Sequence, residues 1–351
     1  MSQFLAADYR KLVPYTPGEQ LNDRQYIKLN TNESPFPPSP QVLRALGPDS
    51  AAGLNLYSDP TLAELTGAIA ERFGLSRNQV FCGNGSDDVL AFSIMAFCGR
   101  GGELACPDIS YSFYPVFAGL FGVRLTQIPL SADFSVRADD YVGLGKNIVI
   151  ANPNAPTGLA LGVDEVERIV ASNPDHVVII DEAYADFSEV SCVGLLGRYP
   201  NLIVTQTFSK SRSLAGLRVG FALADEQIIA DLNRIKFSFN PYNVNTLSIR
   251  AAAAAMRDQP YYDECVAEIK ACRELSKRRL RELGFTVSDS QTNFLFASHP
   301  QKEAEQLYCA LKERGVLVRY FNAPRINNYL RITVGSREQM DGFFKALEQI
   351  I

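Results

Sequence analysis

The sequence has 351 residues, of which 46% are hydrophobic and 21% charged, and a formal net charge of −5 at pH 7. This is the composition of a globular protein large enough for two domains, and its acidic balance excludes a general nucleic-acid or anionic-membrane binder, because both need a basic surface. The seven cysteines form no CxxC pair and neither histidine lies near one of them, so no metal site of the usual zinc spacing is expected.

The N-terminal stretch lacks a basic segment followed by an apolar one, and no apolar run approaches the roughly 20 residues of a membrane span. Together with the odd number of cysteines, this favours a soluble, cytoplasmic protein in a reducing compartment. Residues 1–28 are predicted to form an N-terminal arm that packs with a smaller C-terminal domain. Four prolines within residues 30–40 then predict an extended, shaped loop.

Residues 29–243 are predicted to form a large α/β domain. Thr61 and Glu64 are spaced as a capping box for an amphipathic helix that continues to Phe73. Short apolar runs without alternation then predict strands buried on both faces, as in a mostly parallel sheet covered by helices on both sides. These predicted strands are 80–82, 147–151, 177–180 and 202–205, and the helical patterns between them are 87–98, 164–171 and 225–236.

Residues 244–351 are predicted to form a smaller α+β domain, because strands and helices are mixed differently there. A mostly helical stretch extends to residue 283, followed by a strand at 293–297 and a helix to residue 314. Further strands are expected at 317–320 and 329–334. Ser336 and Gln339 are spaced as a capping box for a final helix.

Three predicted strands of the large domain end in polar residues. Asp181 follows one strand, Lys210 follows the next, and Asn152 and Asn154 follow a third. In open α/β sheets ligands bind at the carboxyl ends of the strands, so these side chains are expected to converge on one crevice. A plain salt bridge would explain the acid or the lysine alone, but it does not explain their joint placement.

Two further features suit a phosphate held beside a reactive amine. The segment 83–87, Gly-Asn-Gly-Ser-Asp, connects a predicted strand to a helix, and free N–H groups at a helix start bind anions. Ser209 directly precedes Lys210, and Arg218 follows eight residues later. Taken singly, an ordinary helix cap and an ordinary surface arginine are the alternatives.

These motifs together resemble the fold-type-I aminotransferases over nearly the whole chain. They are Asn-Pro-Asn-Ala-Pro-Thr-Gly at 152–158, Asp-Glu-Ala-Tyr at 181–184, and Ser-Lys at 209–210 followed by Gly-Leu-Arg-Val-Gly at 216–220. The segments 14–15, 29–35, 318–319 and 329–335 resemble more narrowly the histidinol-phosphate aminotransferases.

The resemblance implies pyridoxal 5′-phosphate as cofactor. Lys210 would bond covalently to its aldehyde and later move the substrate proton, while Asp181 would pair with the ring nitrogen so that the ring can accept electrons. Tyr184 would donate a hydrogen bond to the phenolic oxygen of the ring. Tyr111 would stack on the ring, although a core aromatic is a serious alternative because Tyr114 is so near.

The resemblance also assigns the cofactor phosphate and a partner subunit. Ser209, Arg218 and the backbone of Ser86 and Asp87 would hold the phosphate. Tyr57 would reach that phosphate from a second copy of the chain, which implies a homodimer.

One departure from the family pattern concerns the phenolic oxygen. The family has asparagine directly before Pro-Thr-Gly, whereas this chain has Ala155 there. Asn154 or Asn152 could bind that oxygen instead, or Tyr184 could carry the bond alone.

For substrates, the resemblance implies histidinol phosphate and 2-oxoglutarate, in a step of histidine biosynthesis. Arg331 would bind the carboxylate of glutamate and, in the other half-reaction, the substrate phosphate, since one planar fork can serve both anions. Arg319 and Tyr15 would add phosphate contacts, and Asn32 is placed with the substrate-binding residues. A strand-end surface charge is the alternative for Arg319.

Three other functions stay open at this point. An aminotransferase for aromatic or other amino acids shares the fold, and threonine-phosphate decarboxylase shares much of the N-terminal pattern. A non-catalytic sensor is the alternative from another class. Such sensors carry an added DNA-binding domain, which an acidic chain that begins at once with the catalytic motifs does not favour.

Overall fold

The computed structural model describes residues 2–21 and 23–351, which fold into three β-sheets and their covering helices. Short 3₁₀ turns and loops connect the main elements. In chain order the strands and α-helices are β1 (Ile27–Lys28), α1 (Pro40–Ala45), α2 (Ala63–Phe73), β2 (Val80–Gly83), α3 (Ser86–Phe97), β3 (Glu103–Pro107), α4 (Phe113–Phe121), β4 (Arg124–Ile128), β5 (Asn147–Ala151), α5 (Val163–Ser172), β6 (Val178–Asp181), β7 (Leu202–Thr207), β8 (Gly220–Ala224), α6 (Glu226–Phe239), α7 (Thr246–Arg257), α8 (Gln259–Glu282), β9 (Thr286–Val287), β10 (Phe294–Ser298), α9 (Ala304–Glu313), β11 (Val316–Leu317), β12 (Arg319–Tyr320), β13 (Leu330–Thr333) and α10 (Arg337–Leu347).

The first unit is built on a seven-stranded sheet in the order β2-β8-β7-β6-β5-β3-β4. All neighbours from β7 to β4 are parallel, and β8 is antiparallel to both of its neighbours. Strands β6, β7 and β8 are buried along their whole length, which is why their sequences are continuous apolar runs rather than alternating ones. The predicted α/β architecture with a mostly parallel, helix-covered sheet is confirmed.

The register of this sheet aligns the carboxyl ends of its central strands. Asp181, the last residue of β6, lies opposite Ala151 on β5 and Thr205 on β7. The chain leaves all three parallel strands at this edge. The loops that begin with Asn152, Glu182 and Phe208 therefore start side by side, as the strand-end argument requires.

The second unit contains an antiparallel sheet in the order β12-β13-β10-β9, and residues of α8, α9 and α10 pack with it in one apolar cluster. The N-terminal segment joins this unit, because β1 pairs in parallel with β11. The predicted smaller α+β unit is confirmed. The exact boundaries at residues 28 and 243 stay a prediction.

Two details of the helix starts differ in their outcome. Ser336 and Gln339 do form the predicted capping box of α10. The box predicted for Thr61 and Glu64 is wrong, because Leu62 takes the N-cap position with φ +53° and the cap bond comes from Asp59. Its Oδ2 accepts the N–H of Ala63 at 2.8 Å.

The parallel unit β3-α4-β4 was not predicted from the sequence. Strand β4 lies at the sheet edge and is only partly buried, so it lacks the apolar run that identified the central strands. All seven cysteines are unbridged thiols. Within residues 2–21 and 23–351, every helix is too short or too polar to cross a membrane.

Candidate active site

A buried carboxylate forms the floor of the site. Asp181 is only 4% exposed, and its side chain accepts hydrogen bonds from Tyr114 Oη at 2.8 Å, Thr205 Oγ1 at 3.3 Å and the Ala183 N–H at 3.3 Å. Burial raises the pKa of Asp181 to about 6, although these hydrogen bonds act in the opposite direction. All its hydrogen-bond donors within the described chain are neutral, so the site is suited to a cationic group.

Lys210 lies beyond the end of the neighbouring strand, β7. Its Nζ donates to the carbonyl oxygen of Thr31 at 3.2 Å and lies 5.8 Å from the centre of the Tyr184 ring. Within the described residues this amine has no carboxylate within salt-bridge distance. Glu33 acts on Lys210 only at longer range, because Glu33 is paired with Lys28 at 2.7 Å. The plain salt bridge that could have explained Lys210 is therefore not formed.

Tyr184 is oriented by a chain of hydrogen bonds. Asn32 Nδ2 donates to Tyr184 Oη at 2.9 Å, and Thr333 Oγ1 donates to Asn32 Oδ1 at 3.1 Å. Because Tyr184 Oη accepts a bond here, its own hydrogen remains available to a ligand oxygen. Asn32, which was predicted to bind substrate, therefore lies at Tyr184 and joins the two units of the molecule.

The start of α3 and Arg218 form a corner that is suited to an anion. Gly85 has φ +92°, and a Cβ there would approach Arg218 Nη2 to 2.6 Å. A Cβ on Gly220 would approach the Ser86 nitrogen to 2.3 Å, so both glycines are needed for this close packing. The amides of the first turn of α3, Ser86 and Asp87, have no acceptor within the helix and are free to bind an anion.

Asp87 connects this corner to Tyr111. Its carboxylate accepts from Arg218 Nη2 at 2.9 Å and from Tyr111 Oη at 2.7 Å. Burial and the Asp87 charge raise the pKa of Tyr111 well above its ordinary range. Ser209 is also buried, and its N–H donates to Thr207 Oγ1 at 3.1 Å, which orders the backbone directly before Lys210.

The two asparagines of the 152–158 loop already have partners. Asn152 closes its own loop, since its amide exchanges two hydrogen bonds with the backbone of Leu161. Asn154 Nδ2 donates to Ile109 O at 2.9 Å, and its Oδ1 accepts from Ser110 Oγ at 2.7 Å. Asn154 therefore supports the segment that carries Tyr111, and the structure leaves Tyr184 as the hydroxyl with a hydrogen to offer.

A cavity of about 970 Å³ adjoins this cluster, and its lining includes Tyr15, Tyr111, Arg319, Phe321 and Arg325. Tyr15 stacks on Phe113, with ring centres 4.4 Å apart. Lys210 is not in the lining, whereas Tyr111 is. The cavity therefore lies beside the Tyr111 segment and does not include Lys210.

The two predicted substrate arginines are held differently. Arg331 Nη2 donates to Asn30 O at 3.0 Å, while its buried Nε has no partner within the described chain. Burial lowers the pKa of Arg331, an effect that an anionic ligand would offset. Arg319 uses both Nη atoms to hold the carbonyls of Thr16 and Pro17 at 3.2 Å, which positions the arm residue Tyr15.

Tyr57 lies away from these contacts. It is 83% exposed and stacks on Tyr242 with ring centres 4.5 Å apart, and none of its contacts within the described chain joins it to Lys210 or Arg218. Exposed apolar side chains surround this segment, among them Leu54, Leu56 and Phe239. This is the exposure expected of a residue that acts on a second copy.

Two buried residues of the site were missed from the sequence. Tyr114, considered only as a competitor of Tyr111, is fully buried and donates to Asp181. Glu182 is 2% exposed and accepts from Cys192 N, Ser191 Oγ and Gln206 Nε2. Its position in Asp-Glu-Ala-Tyr, directly after a buried strand, was the available signal that Glu182 would be buried too.

Comparisons with known proteins agree with this arrangement. Residues 24–347 match the family model described as aminotransferase class I and II. Histidinol-phosphate aminotransferase of Brachyspira hyodysenteriae is 50% identical, covering 100% of this chain and 99% of that protein. The enzyme of the same name from Marinomonas sp. is 49% identical, covering 100% of both. A solved histidinol-phosphate aminotransferase from Sinorhizobium meliloti, in complex with pyridoxal-5′-phosphate, superimposes with a TM-score of 0.85 at 25% identity, covering 93% of this chain and 91% of that one.

Proposed function

The chain belongs to the class I and II aminotransferase family, and from this we propose that it transfers an amino group between histidinol phosphate and 2-oxoglutarate. The products are imidazole-acetol phosphate and glutamate, in a step of histidine biosynthesis. The full-length similarity to relatives of that name supports this choice of substrates.

The observation that carries the proposal is the buried Asp181 carboxylate, whose hydrogen-bond partners within the described chain are all neutral. A protonated ring nitrogen would supply the missing cation and keep Asp181 ionised. When bound, pyridoxal phosphate supplies an aldehyde for covalent attachment and a ring that accepts electrons from the substrate. The anion corner at α3 fits its phosphate.

Lys210 is the base in this proposal. Its amine would hold the cofactor through the aldehyde and, once released by the amino donor, would remove a proton at the substrate α-carbon. A lysine can do this only while neutral. Support comes from the position of its amine, which donates to the Thr31 carbonyl and forms no salt bridge within the described residues.

The remaining cofactor residues bind and orient. Arg218 and the first-turn amides of Ser86 and Asp87 hold the phosphate, and the Ser209 hydroxyl adds a further donor. Tyr184 donates to the phenolic oxygen. Tyr111, whose hydroxyl donates to Asp87, would stack on the ring.

Substrate anions are bound by the second unit. Arg331 offers its unpartnered Nε and the rest of a planar fork, which matches both a carboxylate and a phosphate. Arg319 and Tyr15 provide further phosphate contacts from the cavity wall. Asn32 contributes by holding Tyr184, and Asn154 by holding the Tyr111 segment.

The functional unit in this proposal is a homodimer in the cytoplasm. Tyr57 of one subunit reaches the cofactor phosphate of the other, supported by its 83% exposure and the apolar side chains around it. Seven unbridged thiols are typical of a reducing compartment.

A panel of half-reactions tests the function. The cofactor-loaded protein is mixed separately with histidinol phosphate, phenylalanine, aspartate and threonine phosphate, and the cofactor absorbance is followed. A fast spectral change with histidinol phosphate is expected, with formation of imidazole-acetol phosphate. If phenylalanine reacts and histidinol phosphate does not, the substrate assignment is wrong while the family assignment stands.

A further inference from the structure

The loop of residues 321–328 connects β12 to β13 in the second unit and lies at the rim of the 970 Å³ cavity. Its first residue, Phe321, packs under both substrate arginines, with the guanidinium carbons of Arg319 and Arg331 each 5.6 Å from the ring centre. At its other end, Asn328 Oδ1 accepts the N–H of Ala304 at 3.0 Å. The loop is therefore anchored to its own unit at both ends.

Arg325, between these anchors, reaches across to the first unit. Its Nη1 donates to Asp108 Oδ2 at 3.3 Å, and its Nη2 donates to the carbonyl oxygens of Leu130 at 3.0 Å and Ser131 at 2.6 Å. The guanidinium carbon also lies 5.4 Å from the centre of the Phe134 ring. One side chain thus joins three acceptors that belong to loops following β3 and β4.

The receiving site is also held together by a hydrogen bond of its own. Asp108 Oδ1 accepts the N–H of Leu130 at 2.9 Å, which fixes the carboxylate and both carbonyls in one arrangement. A planar guanidinium matches such a set of oxygens, whereas a lysine ammonium reaches fewer of them. Asp108 lies only three residues before Tyr111, so this bridge ends at the segment that carries Tyr111.

The bridge is partly exposed to water, and the backbone of Arg325 is strained. Arg325 and Asp108 are 36% and 28% exposed in their side chains, and an ion pair this accessible to water is weak and screened by salt. Arg325 has φ +69°, a backbone conformation that a residue other than glycine holds only while contacts enforce it.

We propose that Arg325 is a positioning residue that fastens the 321–328 loop to Asp108 and thereby holds the arginine-bearing wall in its substrate-binding position. It acts through Phe321 on Arg319 and Arg331 and does not touch the reacting atoms. This inference rests on the proposed transaminase activity, but not on the identity of the phosphate substrate. It assigns the bridge to substrate affinity rather than to the chemical step.

The test uses the cofactor-loaded enzyme with Arg325→Ala and Arg325→Lys. We expect Arg325→Ala to raise the KM for glutamate and for histidinol phosphate roughly tenfold, the equivalent of ~1.4 kcal/mol, with kcat within about twofold of wild type. Arg325→Lys should recover part of the affinity. Hydrogen exchange should become faster in the amides of residues 321–328 and 128–134.

Arg279→Ala is the matched control. Arg279 is 37% exposed and pairs with Asp341 and Glu348 inside the second unit, so its loss removes similar ion pairs without opening the bridge. An equal rise in KM for Arg279→Ala, an unchanged KM for Arg325→Ala, or unchanged exchange in the two segments would each overturn the proposal. A variant that merely folds poorly would lower kcat and bound cofactor together, which also contradicts it.

Asp108→Asn provides a second variant that retains side-chain shape. It should raise KM less, about threefold, and its effect should not add to that of Arg325→Ala, because both remove the same bridge. Additive effects would argue against a shared contact. If wild-type enzyme ignores histidinol phosphate, the proposed function fails, but the KM for glutamate and the exchange data still decide the role of Arg325.

Discussion

The site joins two regions that are held in place by different forces. The floor, with Asp181 and Lys210, follows the ends of central strands whose side chains are buried on both faces of the sheet. The wall, with Arg319 and Arg331, comes from a separate antiparallel sheet, and its cations are held mainly by backbone carbonyls. The floor is thus part of a rigid core, while the wall is fastened to it at a few polar contacts.

This difference separates chemistry from recognition. Groups that must keep a fixed position around one ring are placed by strand register, which cannot slip without disrupting the core. The arginines that we propose accept both a carboxylate and a phosphate lie in the wall, where a few bonds to backbone carbonyls hold them. Substitutions in the floor should therefore lower kcat, and substitutions in the wall should raise KM.

The largest effect is expected for Lys210→Ala. Losing the amine removes both the covalent attachment of the cofactor and the base, so kcat should fall by at least about 10³-fold. Stopped-flow absorbance with histidinol phosphate measures the rate of the spectral change in the variant and in the wild-type protein. Lys345→Ala, which removes an exposed lysine on α10, is the control and should retain wild-type turnover. Comparable turnover in the two variants would contradict the role of Lys210.

Asp181→Asn should have the next largest effect. Asparagine keeps the shape and can still accept from Tyr114, but it offers no charge to a protonated ring nitrogen, so kcat should fall by about 10²-fold or more. The KM for 2-oxoglutarate should change little, because the wall is untouched. A variant with raised KM and intact kcat would break the division between floor and wall.

The floor could be predicted from the sequence because its signals are local. Buried strands appear as continuous apolar runs, and Asp181 and Lys210 follow two of them at once. Parallel neighbouring strands end at the same edge of a sheet, so predicting these strands was enough to predict that the two residues lie close together. The motif around Arg218 likewise packs against the start of α3. This close packing requires glycine at positions 85 and 220.

The remaining features depend on tertiary contacts that no local pattern reveals. Tyr114 and Tyr111 are equivalent in sequence, and only packing makes Tyr114 the donor to Asp181 and Tyr111 the donor to Asp87. The cap at Asp59 replaced the predicted Thr61 box because Leu62 adopts a left-handed conformation. Arg325 contacts residues that lie 194 to 217 positions away in the chain, and nothing in its own loop sequence indicates these partners.

The wall itself can be dissected with Arg331→Ala and Arg319→Ala. Arg331 offers a buried, partly unpartnered fork, so its loss should raise the KM for glutamate about 100-fold. Arg319 already spends two nitrogens on the arm, so its loss should raise KM only about tenfold. Steady-state kinetics with both substrates gives the comparison. Equal effects, or a fall in kcat alone, would show that the two arginines do not share recognition as described.

The smallest effect on turnover is expected for Glu182→Gln, whose signature is the pH dependence of stability. Burial raises the pKa of Glu182 from 4.5 to about 7, so the folded protein keeps a proton that the unfolded chain has lost. The stability from this group is complete below pH 4.5 and is lost as the pH rises through about 7. Glutamine keeps a neutral side chain throughout, so wild-type protein should lose up to ~3 kcal/mol relative to the variant over that range. Urea unfolding of both cofactor-free proteins between pH 5 and 8 measures the difference, since Asp181 contributes equally to each. Parallel stability curves would mean that Glu182 is ionised inside the fold, and that the floor tolerates a second buried charge beside Asp181.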